Sequence, residues 1–145
     1  KCGYCRKASE IVREFLETDR NIRFVVKEFP ILGEASLISS KFAIAVKNIG
    51  GPEKYKFVHD ILLTLTADPS EAYLQRIATE LQLNPEELFT AMESEPVLQE
   101  ISQTSELAKK LQIDGTPTFI FEEQVLRGFV PLDVLLQVAE TVRNK

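Results

Sequence analysis

"KCGYCRKASEIVREFLE" (Lys1–Glu17) holds the only two cysteines of the chain, three positions apart, and runs from them straight into a helical pattern. Ala8, Ile11, Val12, Phe15 and Leu16 fall on one face of an amphipathic helix that starts at or just after Cys2. Three uses fit such a pair. A structural staple is one, but so short a loop constrains little of the unfolded chain. A metal site is the second. It needs two further ligands, and the single histidine, His59, stands mid-helix beside apolar residues, where it reads as a packed or surface side chain. The third is a disulfide that is made and broken. At the helix start Cys2 meets unpaired backbone N–H groups and the positive end of the helix dipole, and both favour a thiolate. Cys5, one turn on, is placed to resolve a mixed disulfide by attacking the Cys2 sulfur. Gly3 and Tyr4 set how strongly those donors reach the sulfur, and Arg6 and Lys7 add positive charge. This redox use needs neither metal nor bound cofactor.

At 145 residues the chain has the length of one domain and buries a core without staples. Hydrophobic residues make up 44% and charged residues 27%, ordinary for a globular protein. The net charge of -5 argues against a nucleic-acid or anionic-membrane partner. No apolar run is long enough to cross a bilayer, and no signal peptide is visible. A chain that begins on Lys1-Cys2 is expected to be the remainder of something longer. Two cysteines are too few for a disulfide scaffold.

Beyond the first helix, "NIRFVVKEF" (Asn21–Phe29) predicts a strand with Ile22, Phe24 and Val26 on one side, ended by Pro30. A helical block follows. Ile38, Phe42, Ala45, Val46 and Ile49 form one stripe, stopped by Gly50-Gly51-Pro52, and Phe57, Val58, Ile61, Leu62 and Leu65 form the next. "DPSE" predicts a helix capped by Asp68 with Pro69 at its first position, and "NPEE" (Asn84–Glu87) repeats the arrangement. "SEP" (Ser94–Pro96) opens a helix to about Gln112. The last section reads as a β run, "GTPTFIF" (Gly115–Phe121), a hairpin partner in "QVLRG", and a helix over Pro131–Val142. The intervening Glu122-Glu123 lacks the Asn-Gly chemistry of a tight turn. The expected architecture is α/β, with residues 1–35 and 113–145 as the core and 36–112 as a helical insertion.

Pro117 at the mouth of a strand cannot donate a ladder hydrogen bond. Most such prolines are trans. A cis Thr116–Pro117 bond would leave the Thr116 backbone groups free to hold an extended substrate peptide by strand addition. Tyr4, between the cysteines with little to pack on, is a candidate substrate contact. Lys27 and Glu28, at the end of the predicted strand, either modulate thiol acidity or are a solvated strand end. Phe29, Phe119 and Phe121 are expected in the core.

Taken together, "CGYC" opening a helix, "KEFPILGEAS", the helical insertion, "GTPTFIF" and "RGFVPLDVL" resemble the DsbA-type thioredoxin-fold thiol–disulfide oxidoreductases, and within them the ScsC-like and Com1-like bacterial branch. The resemblance runs over essentially the whole chain. It implies a thioredoxin-like fold interrupted by helices, an attacking Cys2, a resolving Cys5, and a cis-Pro117 preceded by Thr116. It also implies secretion into an oxidising compartment such as the periplasm. In that fold a central strand immediately precedes the cysteine pair, and this sequence begins after it. The N-terminal strand, any oligomerisation arm and the signal peptide are therefore expected to be missing from the chain. The implied activity is disulfide exchange in secreted or periplasmic proteins, with a membrane-bound redox partner. The alternatives are a disulfide isomerase or reductase using the same cysteines, to which Gly-Tyr between them and Thr before the proline are also similar, and a non-catalytic thioredoxin-like chaperone or binding module.

Overall fold

Side-chain caps set three of the helix starts. In the computed structural model, which describes residues 2–145, the order is α1 (Gly3–Thr18), α2 (Glu34–Gly50), α3 (Pro52–Thr64), α4 (Glu71–Glu80), α5 (Pro85–Met92), α6 (Glu95–Lys110), β1 (Thr118–Phe121), β2 (Gln124–Arg127) and α7 (Leu132–Arg143). Asn84 caps α5 by accepting from the Glu86 and Glu87 N–H groups, with Pro85 in the first turn. Gly51, at φ 85°, breaks α2 from α3, and Pro52 starts the new helix. The chain divides into two units, Lys27–Lys110 and Cys2–Val26 with Leu111–Lys145.

In the helical unit, Phe42, Ala43, Ile44, Ala45 and Val46 are all buried. Five consecutive buried positions cover every side of a helix, so α2 is the central rod, wrapped by α3, α5 and α6. Val58, Leu74, Ile77, Leu88 and Val97 complete that core.

In the other unit β1 and β2 form an antiparallel hairpin, Thr118 opposite Arg127 and Phe121 opposite Gln124. Phe15, Val130, Leu135 and Ala139 form the core, with Phe119 and Phe121 packed against it. The Phe15 and Phe121 rings meet edge to face at 6.1 Å. The Arg143 guanidinium donates to Asp19 Oδ2 at 2.7 Å, tying the end of α7 to the exit of α1.

Three sequence expectations are corrected. Asn21–Phe29 is extended but is no strand, because among the described residues no neighbour supplies a hydrogen-bond ladder, and Phe24 and Val25 stand exposed. The cap of α4 is Ser70, not Asp68, since it is the Ser70 hydroxyl that accepts from the Tyr73 N–H. Helix α6 ends at Lys110, and Gln112 follows it in a left-handed conformation, φ 54°, that no helix continues through. The Glu122-Glu123 turn does close the hairpin, with Glu122 at φ 51°. Asparagine accepts that conformation more readily. Glu122→Asn is expected to stabilise the protein by about 0.5 kcal/mol, read from denaturant midpoints; a lowered midpoint contradicts this.

Candidate active site

Cys2 is the N-cap of α1, and its side chain does what a cap does. The Cys5 backbone N–H donates to Cys2 Sγ at 3.1 Å, and the Cys2 carbonyl accepts the first helical bond from the Arg6 N–H at 3.1 Å. A sulfur therefore stands where the helix presents its unpaired donors. Cys2 and Cys5 are joined in a disulfide, both half-buried.

The second wall comes from the other end of the chain. The Thr116–Pro117 peptide is cis. The Thr116 hydroxyl donates to Cys2 Sγ at 3.5 Å, and the Thr116 carbonyl oxygen lies 3.5 Å from the same sulfur. In the disulfide that sulfur carries no proton, so the carbonyl contact becomes a hydrogen bond only once a Cys2 thiol forms. After reduction, two donors and the helix dipole favour the thiolate while one carbonyl favours the thiol. Cys2, as the N-cap, is the sulfur of the pair that receives these donors. Among the described residues no acceptor meets the Thr116 N–H.

The turn is held by its own strand pair. The Thr118 hydroxyl donates to the Gly115 carbonyl at 2.8 Å, and the Gly128 N–H donates to the Pro117 carbonyl at 2.8 Å. Arg127, on β2, donates to the Leu111 and Gln112 carbonyls and fixes the approach to the turn. Cys2, Cys5, Thr116 and Pro117 are thus brought together within one unit. Tyr4, 66% exposed, lies on the open side of the first turn. Beside Gly3 the space is open, so no close approach requires a glycine there.

Lys27 and Glu28 belong to the helical unit. Lys27 is exposed. Glu28 faces a polar cluster that the sequence did not reveal: Oε1 accepts from the Tyr55 hydroxyl at 2.8 Å and lies 3.1 Å from His59 Nδ1, while Oε2 accepts from the Ser40 hydroxyl at 2.9 Å. Burial pushes the Glu28 carboxyl up, but its bonds to His59, Tyr55 and Ser40 outweigh this and hold it below the ordinary glutamate value. Burial first, and then the Glu28 charge and hydrogen bond, push the Tyr55 phenol far above its usual range. The available signal was Tyr55 and His59 at i, i+4 on one helix face.

Because the Glu28 value is lowered on folding, its stabilisation is complete above about pH 4.3 and is lost as pH falls through the folded value. Helical circular dichroism during denaturation is expected to report a midpoint that drops between about pH 5 and about pH 3. Glu28→Gln should flatten that drop; an equal drop in the variant contradicts the assignment.

Thr116→Val removes the hydroxyl donor while keeping the shape. Loss of about 1 kcal/mol of thiolate stabilisation makes the couple more reducing by about 20 mV. Equilibration with glutathione measures it; an unchanged or more oxidising potential contradicts the role.

Among solved structures, a thioredoxin-like oxidoreductase from Silicibacter pomeroyi DSS-3 superposes with a TM-score of 0.90 at 35% identity, over 99% of this chain and 82% of that one. ScsC of Proteus mirabilis, in a compact conformation, gives 0.85 at 22% identity, over 99% and 78%. A curated relative, the Na(+)/H(+) antiporter NhaA 1 of Salinispora arenicola, is 26% identical over 135 residues. That match takes in 93% of this chain and 21% of the antiporter, so the chain spans about a fifth of the length of the curated relative it matches. The fold is thioredoxin-like of the DsbA kind, largely helical with a two-stranded sheet. Residues 1–139 match the model of the DSBA-like thioredoxin domain, and with its cysteine pair capping α1 against the Thr116–Pro117 turn, the chain belongs to that thiol–disulfide oxidoreductase family.

Proposed function

We propose that the protein exchanges disulfides with secreted or periplasmic proteins through Cys2-Gly-Tyr-Cys5. In the oxidising direction a substrate thiolate attacks Cys2 Sγ. The Cys2–Cys5 bond breaks and Cys5 leaves as a thiolate. A second substrate thiolate then attacks the substrate sulfur of the mixed disulfide, and Cys2 leaves as a thiolate. The substrate loses two electrons and gains a disulfide; the protein ends as the dithiol, its thiolates taking up protons according to pH. A redox partner in the membrane restores the Cys2–Cys5 bond. Thr116 and Pro117 position the substrate backbone beside Cys2, and Tyr4 contacts its side chains. An oxidising compartment suits this cycle, because cytosolic thiol buffers would keep the pair reduced.

The observation that carries the reading is the Cys2 sulfur, which receives a helix N–H and the Thr116 hydroxyl at once. A Cys5→Ala variant lacks the thiol that attacks Cys2 Sγ and releases a bound substrate again. It is expected to accumulate mixed disulfides through Cys2 when offered reduced, unfolded proteins and a mild oxidant. If no Cys2-linked species form where a known exchanger traps them, the proposal fails.

A further inference from the structure

Charge around the disulfide runs against the charge of the chain. The net charge is -5, yet between Cys2 and Ser9 the charged residues are Arg6 and Lys7 alone, and the first turn of α1 holds no acid. Gly3, Tyr4, Arg6, Lys7 and Glu10 line an open hollow of about 470 Å³ running along α1 from the cysteine pair. Lys7 Nζ lies 6.0 Å from the centre of the exposed Tyr4 ring. Among the described residues neither Arg6 nor Lys7 lies within ion-pair distance of a carboxylate. Glu10 is the acid among these lining residues.

A peptide that delivers a thiolate to Cys2 passes over this surface. Tyr4 offers it an apolar face, and Lys7 beside the ring and Arg6 next to it in sequence offer charge that among the described residues is not taken up in an ion pair. We propose that the hollow is a specificity subsite that takes up the residues flanking the substrate cysteine, favouring segments rich in Asp and Glu over segments rich in Lys and Arg. Here the carboxylates form no covalent bond and change no electron count in the exchange; they raise the local concentration of the attacking thiolate. The inference rests on the exchange reading above.

Two cations a few ångströms from one flanking carboxylate each supply a modest attraction in water. A peptide with aspartates beside its cysteine is therefore expected to attack the oxidised protein about five- to tenfold faster than the same peptide with lysines at low salt. At about 1 M salt that ratio should shrink toward one. Flanking charge also alters the peptide thiol itself, so each rate is normalised to the same peptide's attack on an uncharged small disulfide. Lys7→Glu should reverse the preference, and Arg6→Gln should reduce it. Equal normalised rates for the two peptides, a faster lysine peptide, or a preference that salt leaves untouched overturns the subsite while leaving exchange intact. If neither peptide reduces the protein's disulfide although both reduce the small one, the exchange reading and the subsite fall together.

Discussion

Serine at position 2 is expected to bring disulfide exchange down to the rate of buffer alone, whereas serine at position 5 should leave Cys2 able to attack a disulfide and stop at the mixed disulfide. The asymmetry follows from the geometry of α1. Cys2 is the N-cap sulfur, receiving the Cys5 N–H at 3.1 Å and the Thr116 hydroxyl at 3.5 Å, so it is the sulfur whose negative charge the protein stabilises. A group that leaves as a stabilised thiolate leaves quickly, and the same group, as a thiolate at neutral pH, attacks efficiently. Cys5 sits one turn along. In the proposed cycle it leaves when a substrate thiolate attacks Cys2, and in the reverse direction it is the thiolate that attacks the mixed disulfide at Cys2. Stopped-flow reaction of each reduced single-cysteine variant with a disulfide-bonded peptide, together with its alkylation, separates the two roles. Comparable reactivity of both single-cysteine variants contradicts the assignment.

A second large effect is expected within the helical unit. Glu28→Ala should cost about 2 to 4 kcal/mol of stability. The Glu28 side chain is 13% exposed and the His59 side chain 24%. Removing the carboxylate takes the acceptor from the Tyr55 and Ser40 hydroxyls and the partner from His59 in one step. Glu28→Gln keeps an acceptor oxygen and loses the charge, so about half of that loss is expected. Denaturant unfolding of both variants measures it, and a loss below about 0.5 kcal/mol for Glu28→Ala contradicts the clamp.

Local rules carried much of the fold into the sequence. The helix starts at Asn84 and Pro52 follow from cap chemistry that acts within one turn, and the stripe of Phe42, Ala45 and Val46 follows from the need to bury one face. Cys2, Cys5, Thr116 and Pro117, which the structure brings together, stand out in the sequence because each is chemically unusual where it stands. What escaped depends on partners far along the chain. Asn21–Phe29 has β-forming residues, but strand formation needs a neighbour that its own composition does not supply. Glu28 reads as a strand-end charge until α2 and α3 bring Ser40, Tyr55 and His59 to it. The Thr116 hydroxyl on Cys2 spans 114 positions of sequence, which no periodicity records.

The central claim is that the fold acidifies one sulfur. Alkylation rates of the reduced Cys5→Ala protein, followed across pH, titrate Cys2 directly. An apparent value clearly below the ordinary thiol value of about 8.5 is expected. A value at or above it means that neither the start of α1 nor Thr116 stabilises the thiolate, and contradicts the account.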